Sequence, residues 1–341
     1  MNRTKGILFY ASASLLCVAF FLFLLFYGPV YIPCGDVLSI LGGGEPENFY
    51  WKTIVLDSRL PMALASICCG ASLSVAGLIL QTTFMNPLAG PSILGVSSGA
   101  SLGVALLMLG GFSISTSITS GLISIFGALI GAFAVILILI AFSGLLKNNV
   151  MLLIVGIMVS YLSSALISLL NFFSPAEGIR SYLIWGLGSF SGLQLGESVW
   201  LTCLCGSVCL LSLLFVKPLN ALLLGERYAS SIGYSVNSLR IWLLILTGLL
   251  VALPTAFCGP IGFIGLVVPH FARLFLKTSN HNHLLPASLL LGMAVALFCA
   301  ALSVIPASRF GVLPINVITP LVGIPVIIYI LLRRNKLAYF K

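Results

Sequence analysis

Residues 61–84, PMALASICCGASLSVAGLILQTTF, hold no Lys, Arg, Asp or Glu. A run of that length crosses the hydrocarbon core of a bilayer, which takes about 20 apolar residues as a helix. Nine further segments read the same way: 7–27, 93–111, 118–143, 150–172, 196–216, 240–258, 262–276, 284–305 and 314–332. The segment at 262–276 is short and contains Pro269. Only 7% of the 341 residues are charged, where soluble domains carry roughly 25%. The expectation is an all-α polytopic membrane protein of about ten transmembrane helices, organised as a single domain over 1–341. The first segment is longer than the ~7–15 residues of a signal-peptide core and lacks a clear small-residue cleavage site, so it counts as a span.

An even number of spans places both termini on one side. With the N-terminus inside, twelve of the sixteen Lys and Arg fall at cytoplasmic ends, while Lys52, Arg59, Arg180 and Arg309 fall outside. Six of the seven acids go the other way, Glu226 being the exception. This is the positive-inside asymmetry. Removing one span would carry the cluster Arg333, Arg334, Lys336 and Lys341 to the outside.

No ionisable residue sits at the middle of a segment, where proton relays and ion-coupled carriers usually place one. His270 lies towards the cytoplasmic half of the eighth segment, and His281 and His283 flank a cytoplasmic loop. An ion-coupled secondary transporter is therefore the alternative rather than the first reading, and the energy is expected from a partner. A membrane-embedded enzyme would cluster catalytic groups at one depth, but the seven acids and three histidines are scattered over loops. The nine cysteines form no CxxC pair and show no zinc-ligand spacing. They read as small apolar packing residues, and no metal site is expected. The net charge of +9 sorts by side of the membrane and does not point to nucleic acid.

A partner needs a docking surface. The longest polar cytoplasmic stretch away from the ends is KPLNALLLGERYASSIGYSVNSLR, residues 217–240. Pro218 can open a helix because its missing N–H is not needed there. A helix is expected over Leu219 to Ala229, broken by Gly233, with a second short piece over Val236 to Leu239. Two short surface helices would act as a lever.

The loop MNPLAGPSILGVSSGAS, residues 85–101, interrupts two apolar runs without a charge. Asn86 and the prolines Pro87 and Pro91 can cap and restart helices. Gly95 and Gly99, four apart, offer a small-xxx-small packing face. GPSILG at 90–95 has a loose echo in GPIGFIG at 259–265.

These stretches resemble the permease family that imports iron–siderophore complexes, haem and cobalamin, the FecCD/BtuC-like membrane subunits of type II ABC importers. The family pattern RLPR, G-A-x-L-x-x-x-G, Q, NPLA-x-P-x-x-LG-x-x-x-GA is matched at Arg59, Leu60, Pro61, Gly70, Ala71, Leu73, Gly77, Gln81 and Asn86–Ala89, and onwards through Gly95, Gly99 and Ala100. LGERYASSIG at 224–233 resembles the segment that docks on the ATPase, carried here by Leu224, Gly225, Glu226, Ala229 and Gly233. GPIGFIGLVVPHFARL at 259–274 matches a motif through Gly259, Pro260, Pro269 and His270, and LPINVITPLVGIPVIIYIL at 313–331 matches the last span.

The resemblance implies a non-enzymatic transport subunit in the bacterial cytoplasmic (inner) membrane, multi-pass, with both termini cytoplasmic. It implies a homodimer, embedded in membrane lipid, that works with two ATP-binding cassette subunits and an extracytoplasmic substrate-binding protein. No cofactor is expected on this chain: ATP and Mg belong to the partner ATPase, and no G-x-x-x-x-G-K-[ST] loop is present here. The cargo stays open among iron–siderophore, haem and cobalamin, with an iron chelate favoured by the family's commonest use. The path is expected along the fifth and tenth spans, with Met158, Ser160, Ser163, Ser164 and Ser168 as candidates, although helical serines commonly bond their own carbonyls. The outer mouth departs from the pattern. Met62 stands where the family has a second arginine, and Ala301 and Ile305 stand at a later Asp and Arg. Arg59, with Arg309 or Lys52, is left to meet acidic residues of the binding protein.

Overall fold

The structure is a computed structural model that describes residues 3–110, 117–146, 149–307 and 311–332. It is all-helical among these residues. Seven helices are long and apolar enough to cross a membrane, and three shorter apolar helices, Val96–Leu109, Ile264–Leu276 and Ile315–Pro325, fall on the third, eighth and tenth expected segments. The all-α polytopic expectation therefore stands, and the ten apolar segments appear in order.

The organising element is α4, Leu60–Thr83. It is continuous with α3, Phe49–Ile54, through one π-helical turn at Val55–Arg59. Its sequence is apolar or small on every face, which is the signature of a helix surrounded by others rather than one lying on a surface. Of its 24 residues, 21 are buried. Around it pack α1 (Arg3–Phe26), α9 (Leu195–Ser212), α12 (Val236–Cys258), α13 (Ile264–Leu276) and α14 (His281–Val304). Glycine makes two of these crossings possible. A Cβ on Gly77 would stand 1.7 Å from the Gly265 carbonyl oxygen, and one on Gly70 would stand 2.2 Å from the Gly292 oxygen. Such approaches bring backbones into van der Waals contact, the main attraction available between helices in lipid.

A second group consists of α5 (Val96–Leu109), α6 (Ser117–Leu145) and α7 (Asn149–Phe173). The small-residue face here differs from the expectation. Gly95 is not in the helix; it caps α5 in a left-handed conformation, φ 75°, and faces Gly156 of α7. The paired face is Gly99 and Gly103 against Gly131 and Gly127 of α6. The step of four residues is as expected, but it begins one turn later because Gly95 is needed for the turn.

Two short helices at the other end were not foreseen: α2 (Cys34–Leu41) and α8 (Ala176–Gly186). After α9 the chain passes through a single 3-10 turn into α10 (Val216–Leu223), then α11 (Glu226–Ser231) and α12. The last helix, α15, is Ile315–Leu332. The cysteines are all free, and six of them are buried: Cys68, Cys69, Cys205, Cys209, Cys258 and Cys299.

Candidate functional site

The stretch 217–240 forms an elbow that differs in detail from the expected lever. The first helix does not run on to Ala229. It stops at Leu223 because Gly225 takes φ 107° and ψ 155°, a region essentially closed to side-chain-bearing residues. Gly225 N–H closes the turn on Leu222 O at 2.9 Å. The second helix is α11, and Val236–Leu239 is the first turn of α12 rather than a separate piece. Gly233, φ 98°, ends α11, where Tyr234 N–H bonds Ala229 O at 3.0 Å.

Ala229 is fully buried and seats α11 on the body of the protein. Glu226 lies at the start of α11 and pairs with the buried Arg240 at 2.9 Å, fixing the elbow to α12. The opposite face is apolar and exposed: Leu224 (65%), Tyr228 (46%) and Ile232 (51%). Tyr228 and Ile232, on α11 and its C-terminal cap, stand four residues apart, one helical repeat, while Leu224 ends α10 just before the Gly225 bend. Three such side chains held out by a rigid bend suit insertion into a partner's groove. The sequence reading named Leu224 and overlooked Tyr228 and Ile232; their spacing was the available signal.

Below the elbow, the ends of the spanning helices meet in a polar layer. Thr82 of α4, Asn220 of α10 and Asn280 and His281 at the start of α14 are hydrogen-bonded in series. Arg273 of α13 donates to Gln81 Oε1, and Gln81 Nε2 donates to Leu266 O at 3.2 Å. The NPLA loop closes this layer from the side. Asn86 Oδ1 accepts from Leu88 N–H at 2.9 Å, an Asx turn, and Pro91 opens the 3-10 turn that leads into α5. His270, buried on α13, sits against the Pro87 backbone. The motif residues Asn86, Pro87, Pro269 and His270, far apart in sequence, thus form one joint.

At the other end the second GP motif makes a similar joint. Gly259, φ 77°, turns the chain so that Ser189 N–H reaches Cys258 O at 2.9 Å. Asn316 at the start of α15 donates to Gly186 O and Pro260 O and accepts from Gly262 N–H at 3.2 Å.

The expected docking arginine is placed elsewhere. Arg59 is 5% exposed, and its guanidinium donates to the carbonyls of Leu25 (2.8 Å), Phe26 (3.1 Å) and Val30. It clamps the open end of α1 to α4 and does not face outwards. Lys52 is half-buried on α3, and Arg309 lies outside the described residues. On α7, Met158 and Ser164 are exposed and Ser163 is buried. Ser160 donates to Gly156 O at 3.0 Å, and Ser168 donates to Ser164 O at 2.9 Å, so both follow the helical-serine habit. The exposed side of α7 also carries Ile154, Tyr161, Leu162 and Leu169.

A family model described as the FecCD transport family matches residues 15–333. The chain is 37% identical over 339 residues to the "Vitamin B12 import system permease protein BtuC" of Klebsiella pneumoniae, covering 98% of this chain and 96% of the relative. It is 36% identical over 335 residues to the protein of the same name from Salmonella newport, covering 98% of each. Among solved structures it resembles a metal-chelate type ABC transporter in an inward-facing conformation, with TM-score 0.82 and 28% identity over 94% of this chain and 98% of that one.

Proposed function

This chain belongs to the FecCD transport family of ABC importer permeases, and we propose that it carries a corrinoid of the vitamin B12 class across the cytoplasmic membrane. It is an integral-membrane transport subunit and not itself an enzyme. In this reading it works as a homodimer with two ATP-binding cassette subunits and an extracytoplasmic binding protein, and both termini are cytoplasmic. The observation that carries the cargo class is the near-complete alignment, at 36–37% identity, with vitamin B12 permeases. An iron chelate, favoured by family usage, is the second reading, supported by the likeness to a metal-chelate type transporter.

The elbow geometry supports ATP-driven coupling. Leu224, Tyr228 and Ile232 form the contact face, and ATP and Mg reside on the partner that receives it. Closure of two ATPase subunits would push the elbow, and α10, continuous with α9 through one 3-10 turn, would not bend away. An ion-coupled carrier fits less well. Among the described residues, Arg240, Arg273, His270 and His281, the other buried ionisable side chains beside Arg59 outside the cysteines and Tyr182, lie towards the elbow end, and ion coupling usually uses groups near the midplane.

The test is uptake of labelled vitamin B12, ferric siderophore and haem by cells with and without the gene, each with and without ATP depletion. Gene-dependent, ATP-dependent uptake of vitamin B12 alone is the expected result. Uptake of ferric siderophore instead replaces the cargo. Uptake that survives ATP depletion while an ion gradient persists overturns the importer.

A further inference from the structure

One side chain ties the elbow to the core of the bundle. Asn220 projects from α10 onto the first turn of α14. Its Oδ1 accepts from the His281 backbone N–H at 2.8 Å and lies 3.0 Å from His281 Nδ1. Its Nδ2 donates to Asn280 Oδ1 at 3.1 Å, and that oxygen also caps α14 by accepting from Asn282 N–H at 2.9 Å. A backbone N–H can only donate, so the amide orientation of Asn220 is determined and Nδ1 is the ring nitrogen that carries the proton. His281 Nε2 then faces Thr82 Oγ1 at 2.8 Å, in the last turn of the central helix α4. His281 has no exposed surface. Asn220 and His281 are 61 residues apart in sequence, and Thr82 and His281 are 199 apart.

We propose that Asn220, His281 and Thr82 form a mechanical relay that carries displacement of the elbow to α4 and α14, with His281 as a positioning residue and not a proton donor. The proposal rests on the importer reading above. Its physical basis is directionality. Apolar side chains at a helix contact can slide, whereas a buried hydrogen-bonded ring cannot lose its partner to water, and a broken bond leaves an unpaired polar group in a dry site. When α10 moves, the low-energy course is for the N-terminal end of α14 and the C-terminal end of α4 to move with it. α4 also touches α13, through Gly77 at Gly265 and through the Gln81–Arg273 bond, and α14 packs against α13 as well. The relay thus addresses three spanning helices at one depth.

The test uses the full chain assembled with its ATPase and binding protein in proteoliposomes, and reads ATP hydrolysed per labelled vitamin B12 delivered. Asn220→Leu and Thr82→Val are expected to raise that ratio about fivefold or more, within the usual range of coupling between sites. The double variant is expected to be no worse than the more severe single, because a series link can be cut only once. A second readout needs no transport: spin labels at the exposed positions Lys217 and Asn282. The wild type should give one narrow distance, and Asn220→Leu a broadened or split one. A ratio within twofold of wild type in both single variants, additive effects in the double, or an unchanged distance distribution overturns the relay. Should Asn220→Leu fail to assemble, Thr82→Val, which lies away from the elbow face, decides alone. If the wild type itself delivers no vitamin B12, the cargo reading has failed, and the label distances still decide the relay.

Discussion

Replacing Arg59 by Met separates two roles for the one arginine retained from the family's outer motif. The side chain keeps an unbranched apolar stem, ends two atoms shorter and loses its five donors. In the structure Arg59 Nη1 holds Leu25 O and Phe26 O, and Nη2 holds Val30 O. Two of these carbonyls belong to the last turn of α1, where four have no partner within the helix, and a cation there also opposes the negative end of the helix dipole. Hydrogen bonds to a charged group contribute roughly 1.5–3 kcal/mol each. Against that, the variant no longer buries a cation, and water at the end of α1 can reach part of what is released. The expected net loss is about 2–4 kcal/mol, read as a lower midpoint for unfolding of the permease alone in detergent–SDS mixed micelles. Arg59→Lys should recover little, because one ammonium cannot span three carbonyls as a planar fork does. A loss below about 1 kcal/mol, together with a marked fall in affinity for the binding protein, would refute the clamp and restore Arg59 as a docking residue.

Other outcomes follow from the same geometry. Gly103→Leu should separate α5 from α6, since even a Cβ there would lie 2.0 Å from the Gly127 oxygen; a loss of about 2 kcal/mol or more is expected from overpacking, and tolerated folding with unchanged midpoint counts against the glycine face. Tyr228→Asp should abolish co-purification of the ATPase subunits without changing the permease's own unfolding midpoint, because Tyr228 is exposed on the outer face of the elbow. Gly225→Val should also weaken that association, since φ 107° is closed to Val; retained binding would show the bend to be dispensable. Reversing the charge of Lys52 should lower the association rate with the binding protein and reduce its salt dependence, as measured by surface binding at several ionic strengths. An unchanged rate at each salt would remove Lys52 from the docking surface.

The apolar segments and the charge asymmetry were legible along the chain because transfer into lipid depends on composition over a contiguous length. Each expected segment has its helix, with ends that shift by a few residues except before α4, where the helix begins at Phe49. The elbow was legible as a polar interruption and Gly233 as a break in it, whereas Gly225, inside the helix expected over Leu219 to Ala229, became a bend only through its positive φ. Side-chain partners were not legible. Arg59 reads as a surface cation until α1 brings three carbonyls to it. Gly95 reads as one member of a packing pair until its positive φ removes it from the helix. Asn220 and His281 look unremarkable alone, and neither carries a signal for the other across 61 residues. The sequence by itself determined that this chain spans a membrane about ten times as helices and belongs with importer permeases, because lipid and backbone hydrogen bonding leave few options. Only the tertiary structure decided which polar side chains are spent inside the protein and which remain for partners, because that depends on which helix ends meet.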